Sequence, residues 1–348
     1  MKFLHSADIH LGAKTDSRFP KDVADEIKAD MRTTFLEMVN YANENDICVI
    51  LLCGDVFDSD NPFKKDKEFF YGVVKNNPRI DFLYLKGNHD VSGAVEEDIP
   101  NLKRFSDTWT VYDYGEVKIG GIEINRDNVS SLSSTLHLRA EDTNVIMMHG
   151  QIDGDINLAG LRDKNIDYLA LGHLHSYSFG NLDGRGIYVY SGCLSGHGFD
   201  ETGKKGFVEV EAQGGTVKHK FVPFAKREII EAEVDVTGVS DYFTAATKVN
   251  DEVKLKRSDV YRIELVGETD FDKDDFAEDV ERILSGSCMY VSVKDKTRKK
   301  ADFTVYENDP SLKGEFVRTV LNSDLSDEDK LKVISYGFKA LKGERLER

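Results

Sequence analysis

Apolar residues follow two rhythms along the first 225 positions. Residues 3–7 and 47–53 (ICVILLC) are near-continuous apolar runs, the pattern of strands covered on both faces. Between them Val23, Ile27, Met31, Phe35, Met38 and Val39 recur at helical spacing, which predicts an amphipathic helix over 21–44. Further strands are expected at 80–85, 144–148 and 166–171. Residues 109–113, 117–119 and 122–125 read as a short antiparallel meander, broken by Gly115 and by Gly120-Gly121. Residues 187–190, 207–210 and 217–222 extend a second sheet. The class is α/β, and the expected architecture is an α/β/β/α two-sheet sandwich with helices outside.

After Pro223 the pattern changes. Strands at 229–236, 260–266 and 289–293 and helices at 241–249 and 274–284 predict a small α+β domain over 226–295. The basic run Lys296-Thr297-Arg298-Lys299-Lys300 opens a linker, 296–308. Residues 309–348 carry two amphipathic helices and no strand pattern. Asp309-Pro310 is the expected start of the first, and Ser326 to Asp329 resembles a capping box for the second. Leu312, Phe316 and Val320, then Leu331, Ile334, Phe338 and Leu341, form narrow stripes with little core of their own to bury.

Charge narrows the functional classes. With 46 basic and 63 acidic residues the chain carries −17 and has a pI near 5.0, which excludes a basic nucleic-acid coat. A local basic cleft or a bound metal could still grip phosphates. The four cysteines include no CxxC pair, so a disulfide framework or thiolate zinc site is not expected, and a reducing, cytoplasmic setting is. No apolar run approaches a membrane span, and His5, Asp8 and His10 interrupt the first ten residues, against a secretory signal.

The chemistry gathers in five short motifs: Asp8-Ile9-His10, Gly54-Asp55-Val56-Phe57-Asp58, Gly87-Asn88-His89-Asp90, Met148-His149-Gly150 and Gly172-His173-Leu174-His175. Each follows an expected strand, at the edge where ligands of open α/β sheets collect. Side chains two apart on extended backbone project together, so Asp8 pairs with His10 and His173 with His175. Taken singly, each motif also reads as a turn or cap, because Gly, Asn and Asp favour turns. Together they offer seven oxygen or nitrogen donors, about what two metal ions sharing one carboxylate require. Mixed imidazole and carboxylate ligation suits manganese, iron or zinc better than magnesium or calcium.

Other features are weaker. Residues 198–205 nearly match a phosphate-binding P-loop, but Lys205 replaces the Ser or Thr and Asp200 and Glu201 would repel phosphate. His197, in that loop, reads as a solvated loop histidine ahead of a substrate contact. His5 reads as a hydrogen-bonded core residue, and His137 and His219 as surface positions. Lys14, Arg18, Lys64, Lys65 and Lys67 are expected in loops beside the first two motifs, where they could neutralise DNA phosphates or simply be solvated.

These five motifs resemble those of the calcineurin-like metallophosphoesterases. The start MKFLHSADIHLG, Gly54-Asp-Val-Phe-Asp, and Tyr190-Ser191-Gly192 before an acidic loop and Lys204-Lys205-Gly206-Phe207 resemble the SbcD-like branch. That branch comprises nuclease subunits whose archaeal and eukaryotic counterparts are the meiotic recombination eleven nucleases. The resemblance implies a two-metal DNA exonuclease, with endonuclease activity also expected, working with an SbcC-like coiled-coil ATPase in DNA end processing. A homodimer, manganese as working ion and no membrane association are the accompanying expectations. It implies that Asp8, His10, Asp55 and His175 hold one metal, and Asp55, Asn88, His149 and His173 the other. His89 would face the scissile phosphate and protonate the leaving oxygen, with Asp90 orienting it. The 226–295 domain would cap the nuclease domain and the last helices would grip the ATPase. Where some relatives carry a histidine this chain has Asp58. Two other readings stay open: a phosphoesterase for another phosphate ester, and a non-catalytic scaffold.

Overall fold

Two six-stranded sheets account for the apolar rhythm of the first 223 residues. In the computed structural model, which describes residues 1–59, 61–90, 97–269, 275–299 and 303–342, the strands are β1 (Lys2–Ser6), β2 (Val49–Cys53), β3 (Asp81–Leu85), β4 (Leu102–Arg104), β5 (Thr110–Tyr114) and β6 (Val117–Gly121). They continue as β7 (Thr143–His149), β8 (Tyr168–Gly172), β9 (Ser178–Asn181), β10 (Ile187–Tyr190), β11 (Gly206–Gln213) and β12 (Thr216–Pro223). One sheet runs β12-β11-β1-β2-β3-β4 and the other β5-β6-β7-β8-β10-β9. Each is parallel in its middle and antiparallel towards an edge.

Residues pointing inward from both sheets, among them Phe3, Leu51, Leu83, Val145, Met147 and Ala170, form one apolar layer between them. Helix α1 (Lys21–Glu44), with the bounds the periodicity predicts, buries Phe35, Met38 and Val39 against the outer face of the first sheet beside Leu4, Ile50 and Leu52. Among the described residues, the outer face of the second sheet is covered by loops and two single turns, α3 (Leu132–Thr135) and α4 (Leu158–Leu161). The layers are α/β/β/α, with a thin fourth layer.

Several sequence expectations change. Strands β11 and β12 join the first sheet, not the second, because β11 zips antiparallel onto β1. Helix α2 (Lys64–Lys75) was not expected; Asp66, Phe70, Val73 and Val74 bury one face of it, but Gly72 and a polar first turn hide the period. Lys64, Lys65 and Lys67 therefore stand on the start of a helix and not in a loop. The third meander strand, 122–125, is coil. Gly120 and Gly121 do not break the meander either; they lie within β6, where a Cβ would come within 2.9 Å of Ile146 and 2.8 Å of the Phe105 ring.

His5 illustrates how the inter-sheet region treats polar groups. It is fully buried, with Nδ1 2.9 Å from the Tyr168 hydroxyl and Nε2 3.2 Å from the Leu171 carbonyl. Burial, with a small contribution from His219, pushes its pKa down to about 3, despite the Leu171 carbonyl. The unfolded chain binds this proton below about 6.5 and the folded chain does not, so stability falls as pH drops through the window from 6.5 to 3. At pH 5 the difference amounts to about 2 kcal/mol. Denaturant midpoints at pH 7.5 and 5 are expected to show this loss in the parent beyond that of His5→Gln; equal losses would contradict it.

The contacts divide the chain into two units: Met1–Ala232 with Leu255–Ile263 and Leu284–Ser292, and Glu233–Lys254 with Glu264–Ile283 and Val293–Arg348. After β12 come β13 (Ile229–Asp235), α5 (Tyr242–Val253), β14 (Val260–Val266), β15 (Glu268–Thr269), α6 (Phe276–Leu284), β16 (Tyr290–Asp295) and β17 (Arg298–Lys299), with sheet orders β13-β14-β16 and β15-β17. Two residues of the expected linker are thus a strand, while Lys300 and the expected helix start Asp274 lie outside the described residues. Helix α7 (Leu312–Leu321) is capped by Ser311, whose N–H and hydroxyl are both held by Asp309 at 2.8 Å, so the helix begins after the expected Asp-Pro. Helix α8 (Asp327–Leu341) is capped by Ser326 as expected. The two do share a small core, Val317, Val320 and Ile334 with Phe316 and Phe338, and Gly337 leaves room for the Phe316 ring. Leu312, Tyr336 and Leu341 stay at least half exposed on this hairpin. Among the described residues no helix is long and apolar enough to cross a membrane.

Candidate metal centre

The loops leaving β1, β2, β7 and β8 continue side by side beyond their strands. Asp8 N–H donates to Gly54 O at 3.0 Å, His10 N–H to Asp55 O at 3.0 Å and Leu11 N–H to Val56 O at 2.8 Å. To turn the side chains into one place, Asp8, His10 and Asp55 adopt φ of 51° each and His173 of 99°. Such conformations are costly for residues other than glycine and cluster at functional sites. Glycines provide the close approaches: a Cβ on Gly54 would overlap the His149 ring, and one on Gly87 the Asp55 carboxylate.

All seven predicted donors meet. Donor atoms of Asp8, His10 and His175 lie within 4.8 Å of one another, as do those of Asp8, Asp55 and His149. His10 and His175 bring their Nε2 atoms to 3.2 Å. Asn88 Oδ1 is 3.0 Å from His149 Nε2 and 3.1 Å from His173 Nδ1, and Asp55 Oδ2 is 3.3 Å from His149 Nε2. Backbone groups hold the carboxylates: His89 N–H donates to Asp55 at 2.8 Å and His173 N–H to both Asp8 oxygens at 3.0–3.1 Å. His149 Nδ1–H donates to Cys53 O at 2.8 Å, which fixes the tautomer that leaves Nε2 for a cation.

Electrostatics agree with a cation-binding site. Burial holds the Asp8 carboxyl above its usual range against the pull of three histidines. Burial would raise Asp55 too, but His149, the His89 N–H and His10 outweigh it and hold that carboxyl low. The Asp55 and Asp8 carboxylates raise His149 to about 9 although burial opposes it. Two buried carboxylates among converging imidazoles form a donor set of nitrogen and oxygen that fits divalent transition-metal ions.

Residues around the donors differ from expectation. Asp90 is fully buried and accepts Val56 N–H at 3.0 Å and Phe57 N–H at 2.9 Å, pinning the second motif; beside the His89 ring the structure places the Asp58 carbonyl, 3.3 Å from Nδ1, where Asp90 was expected. Burial pushes the Asp90 carboxyl up to about 6. The Asp58 carboxylate lies 3.2 Å from His10 Nδ1, behind the donor face of that ring. His197 is not solvated: it is buried, its ring 5.2 Å from that of His10. Glu201, set aside in the sequence as repulsive to phosphate, is buried between His175 Nδ1 and His197 Nδ1, 2.7 Å from the latter, and accepts His197 N–H at 2.8 Å. Lys205 donates from Nζ to His175 O at 2.6 Å. The Gly-rich loop braces His175 from behind. The only sequence signal for this was the His-x-x-x-Glu spacing from 197 to 201.

Of the cations expected beside the first two motifs, Lys14 is exposed, Arg18 pairs with Asp200 at 2.9 Å, Lys64 with Glu68 at 3.5 Å, Lys65 lies over the Phe63 ring and Lys67 follows on α2. None of these contacts reaches a donor residue.

Glu201→Gln keeps the shape but loses the charge behind His175. A folded chain binding Mn²⁺ roughly 10–100-fold more weakly by calorimetry is expected, the usual effect of such a partner. Unchanged affinity would remove Glu201 from the site.

Residues 1–177 match the family model of the calcineurin-like phosphoesterases. The DNA double-strand break repair protein Mre11 of Sulfolobus acidocaldarius is 25% identical over 303 residues, 79% of this chain and 77% of that one. The uncharacterized metallophosphoesterase YhaO of Bacillus subtilis is 25% identical over 260 residues, covering 68% and 64%. A subunit of the nuclease SbcCD from Rhodobacter capsulatus is 29% identical over 100 residues, 28% of this chain and 23% of that one. A dimetal phosphatase from Danio rerio aligns with a TM-score of 0.41 at 10% identity, over 62% of this chain and 93% of that one.

Proposed function

The chain belongs to the calcineurin-like phosphoesterase family, and from that premise we propose that it is a two-metal DNA nuclease acting on DNA ends with a coiled-coil ATPase partner. The observation that carries this reading is the convergence of all seven donors on one strand-end site. Relatives named as a break-repair protein and as a nuclease subunit support the choice of DNA as substrate. Asp8, His10, Asp55 and His175 would hold one ion, and Asp55, Asn88, His149 and His173 the other, with manganese the working ion. When bound, the ions supply positive charge that lowers the pKa of water and offsets charge on the phosphoryl oxygens.

The protein's own groups complete the reaction. Asp58 and Glu201 hold the rings of His10 and His175 from behind, and Cys53 O holds that of His149. His89 is exposed at the edge of the centre, and its Nδ1–H faces Asp58 O, so its Nε2 is the atom left to carry a second proton, that of the imidazolium, to a leaving oxygen. Lys14, Arg18, Lys64, Lys65 and Lys67 would contact the DNA backbone from the rim. A homodimer in the cytoplasm, with both exonuclease and endonuclease activity, completes the proposal.

A labelled DNA duplex is expected to be shortened with Mn²⁺ and left intact with a chelator. One observation favours another phosphate ester as substrate: Arg18 and Lys64 are already paired in a chain of charge −17. Cleavage of a small aryl diester with DNA left untouched would select that reading. The exposed Leu312, Tyr336 and Leu341 on the α7–α8 hairpin are the proposed contact with the ATPase, as a helix pair set in a groove. Changing all three to Asp is expected to abolish co-purification with that partner without lowering the melting temperature of the chain. Retained co-purification would contradict it.

A further inference from the structure

The Asn88, His149 and His173 side of the centre opens into a cleft of about 750 Å³, whose far wall is made by Glu123, Ile124 and Arg126. That size lies within the range of small-molecule sites. The wall is the segment that the sequence read as a strand, and two asparagines lock it as a turn. Asn125 N–H donates to Asn128 Oδ1 at 2.9 Å, while Asp127 and Asn128 N–H donate to Asn125 Oδ1 at 2.8 and 3.0 Å. Asn128 Nδ2 ties the turn to Glu123 O at 2.8 Å and Asp107 O at 3.0 Å.

The turn presents Arg126, which is exposed and has no ion pair or hydrogen bond among the described residues. The other charges of the cleft are engaged. Lys86 lies 3.4 Å from Glu123, and Asp155 accepts Gln151 N–H at 3.0 Å. A guanidinium on a rigid turn, facing a cleft shared with three proposed metal ligands, is suited to a second phosphate next to the one at the centre. Its planar fork matches phosphate oxygens better than an ammonium does. In a chain of charge −17 diffuse attraction cannot hold a polyanion, so a positioned cation matters more.

We propose that this cleft seats the nucleotide adjoining the scissile phosphodiester, with Arg126 on that nucleotide's own phosphate and Ile124 against its sugar or base. The proposal rests on the nuclease reading and gives it a substrate subsite. Arg126 is here a substrate-binding residue that leaves the metals alone.

The test uses the full chain with Mn²⁺ and three substrates: a thymidine trinucleotide with two phosphodiesters, the dinucleotide with one, and bis(p-nitrophenyl) phosphate. Arg126→Ala is expected to lower kcat/KM on the trinucleotide by roughly 10–100-fold, the effect of one charge-assisted contact. The dinucleotide and the aryl diester are expected to change by less than about threefold, and Arg126→Lys to recover part of the loss. Binding of a labelled oligonucleotide with chelator present is measured alongside. No loss, or the same loss on all three substrates, overturns the proposal. Binding that depends on Arg126 without cleavage keeps the cleft and overturns the nuclease reading. A parent chain that neither binds nor cuts the oligonucleotide overturns both.

Discussion

His89→Ala is expected to keep the full metal content of the parent and to lose roughly 10²–10⁴-fold in turnover, the usual worth of a positioned proton donor. The separation of the two effects follows from which atoms of His89 do what. Its backbone N–H holds the Asp55 carboxylate at 2.8 Å, and alanine keeps that N–H. Its ring faces Asp58, with Nδ1 3.3 Å from that residue's carbonyl oxygen. Turnover on a DNA duplex, with metal counted by elemental analysis, checks both halves. Release of metal, or cleavage at the parent rate, would show that the role belongs to another group.

The opposite behaviour is expected of Asp55→Asn, which is predicted to lose metal and activity together. The Asp55 carboxylate is buried, one oxygen on His89 N–H and the other 3.3 Å from His149 Nε2, inside the cluster with Asp8. Asparagine fits the left-handed backbone of 51° as well as aspartate does, so the change removes charge and not conformation. Loss of even an outer partner of a ligand typically costs 10–100-fold in affinity, and loss of the carboxylate proposed to serve both ions is expected to exceed that. Calorimetry with Mn²⁺ is expected to show affinity reduced by more than about 100-fold and hydrolysis at background. Parent-like binding would exclude Asp55 from the centre.

How much of this was legible in the sequence depended on how local the determinant is. Helix α1 and strand β14 end where their periodicity ends, because a single buried face or a buried run defines them. The seven donors were legible for a related reason: each lies at the end of an apolar strand or within four residues beyond it, and the strand ends of the two facing sheets meet there. Helix α2 was hidden by its polar first turn, and its buried Asp66 is explained only by Arg32 of α1, a tertiary partner. Glu201 and Asp58 were misread or left without a role for the same cause. Their importance comes from the approach of His175, 26 positions earlier, and of His10, 48 positions earlier. The Gly120-Gly121 pair shows the converse error. Its meaning is room for Ile146 and Phe105, which no local pattern contains.

The most direct measurement titrates the metal-stripped chain with Mn²⁺ while following cleavage of a labelled DNA duplex and of bis(p-nitrophenyl) phosphate. A two-metal nuclease predicts that both activities rise together and saturate at two ions per chain, and that a chelator removes both. Saturation at one ion, or hydrolysis of the aryl diester with the DNA left uncut at full loading, would contradict it.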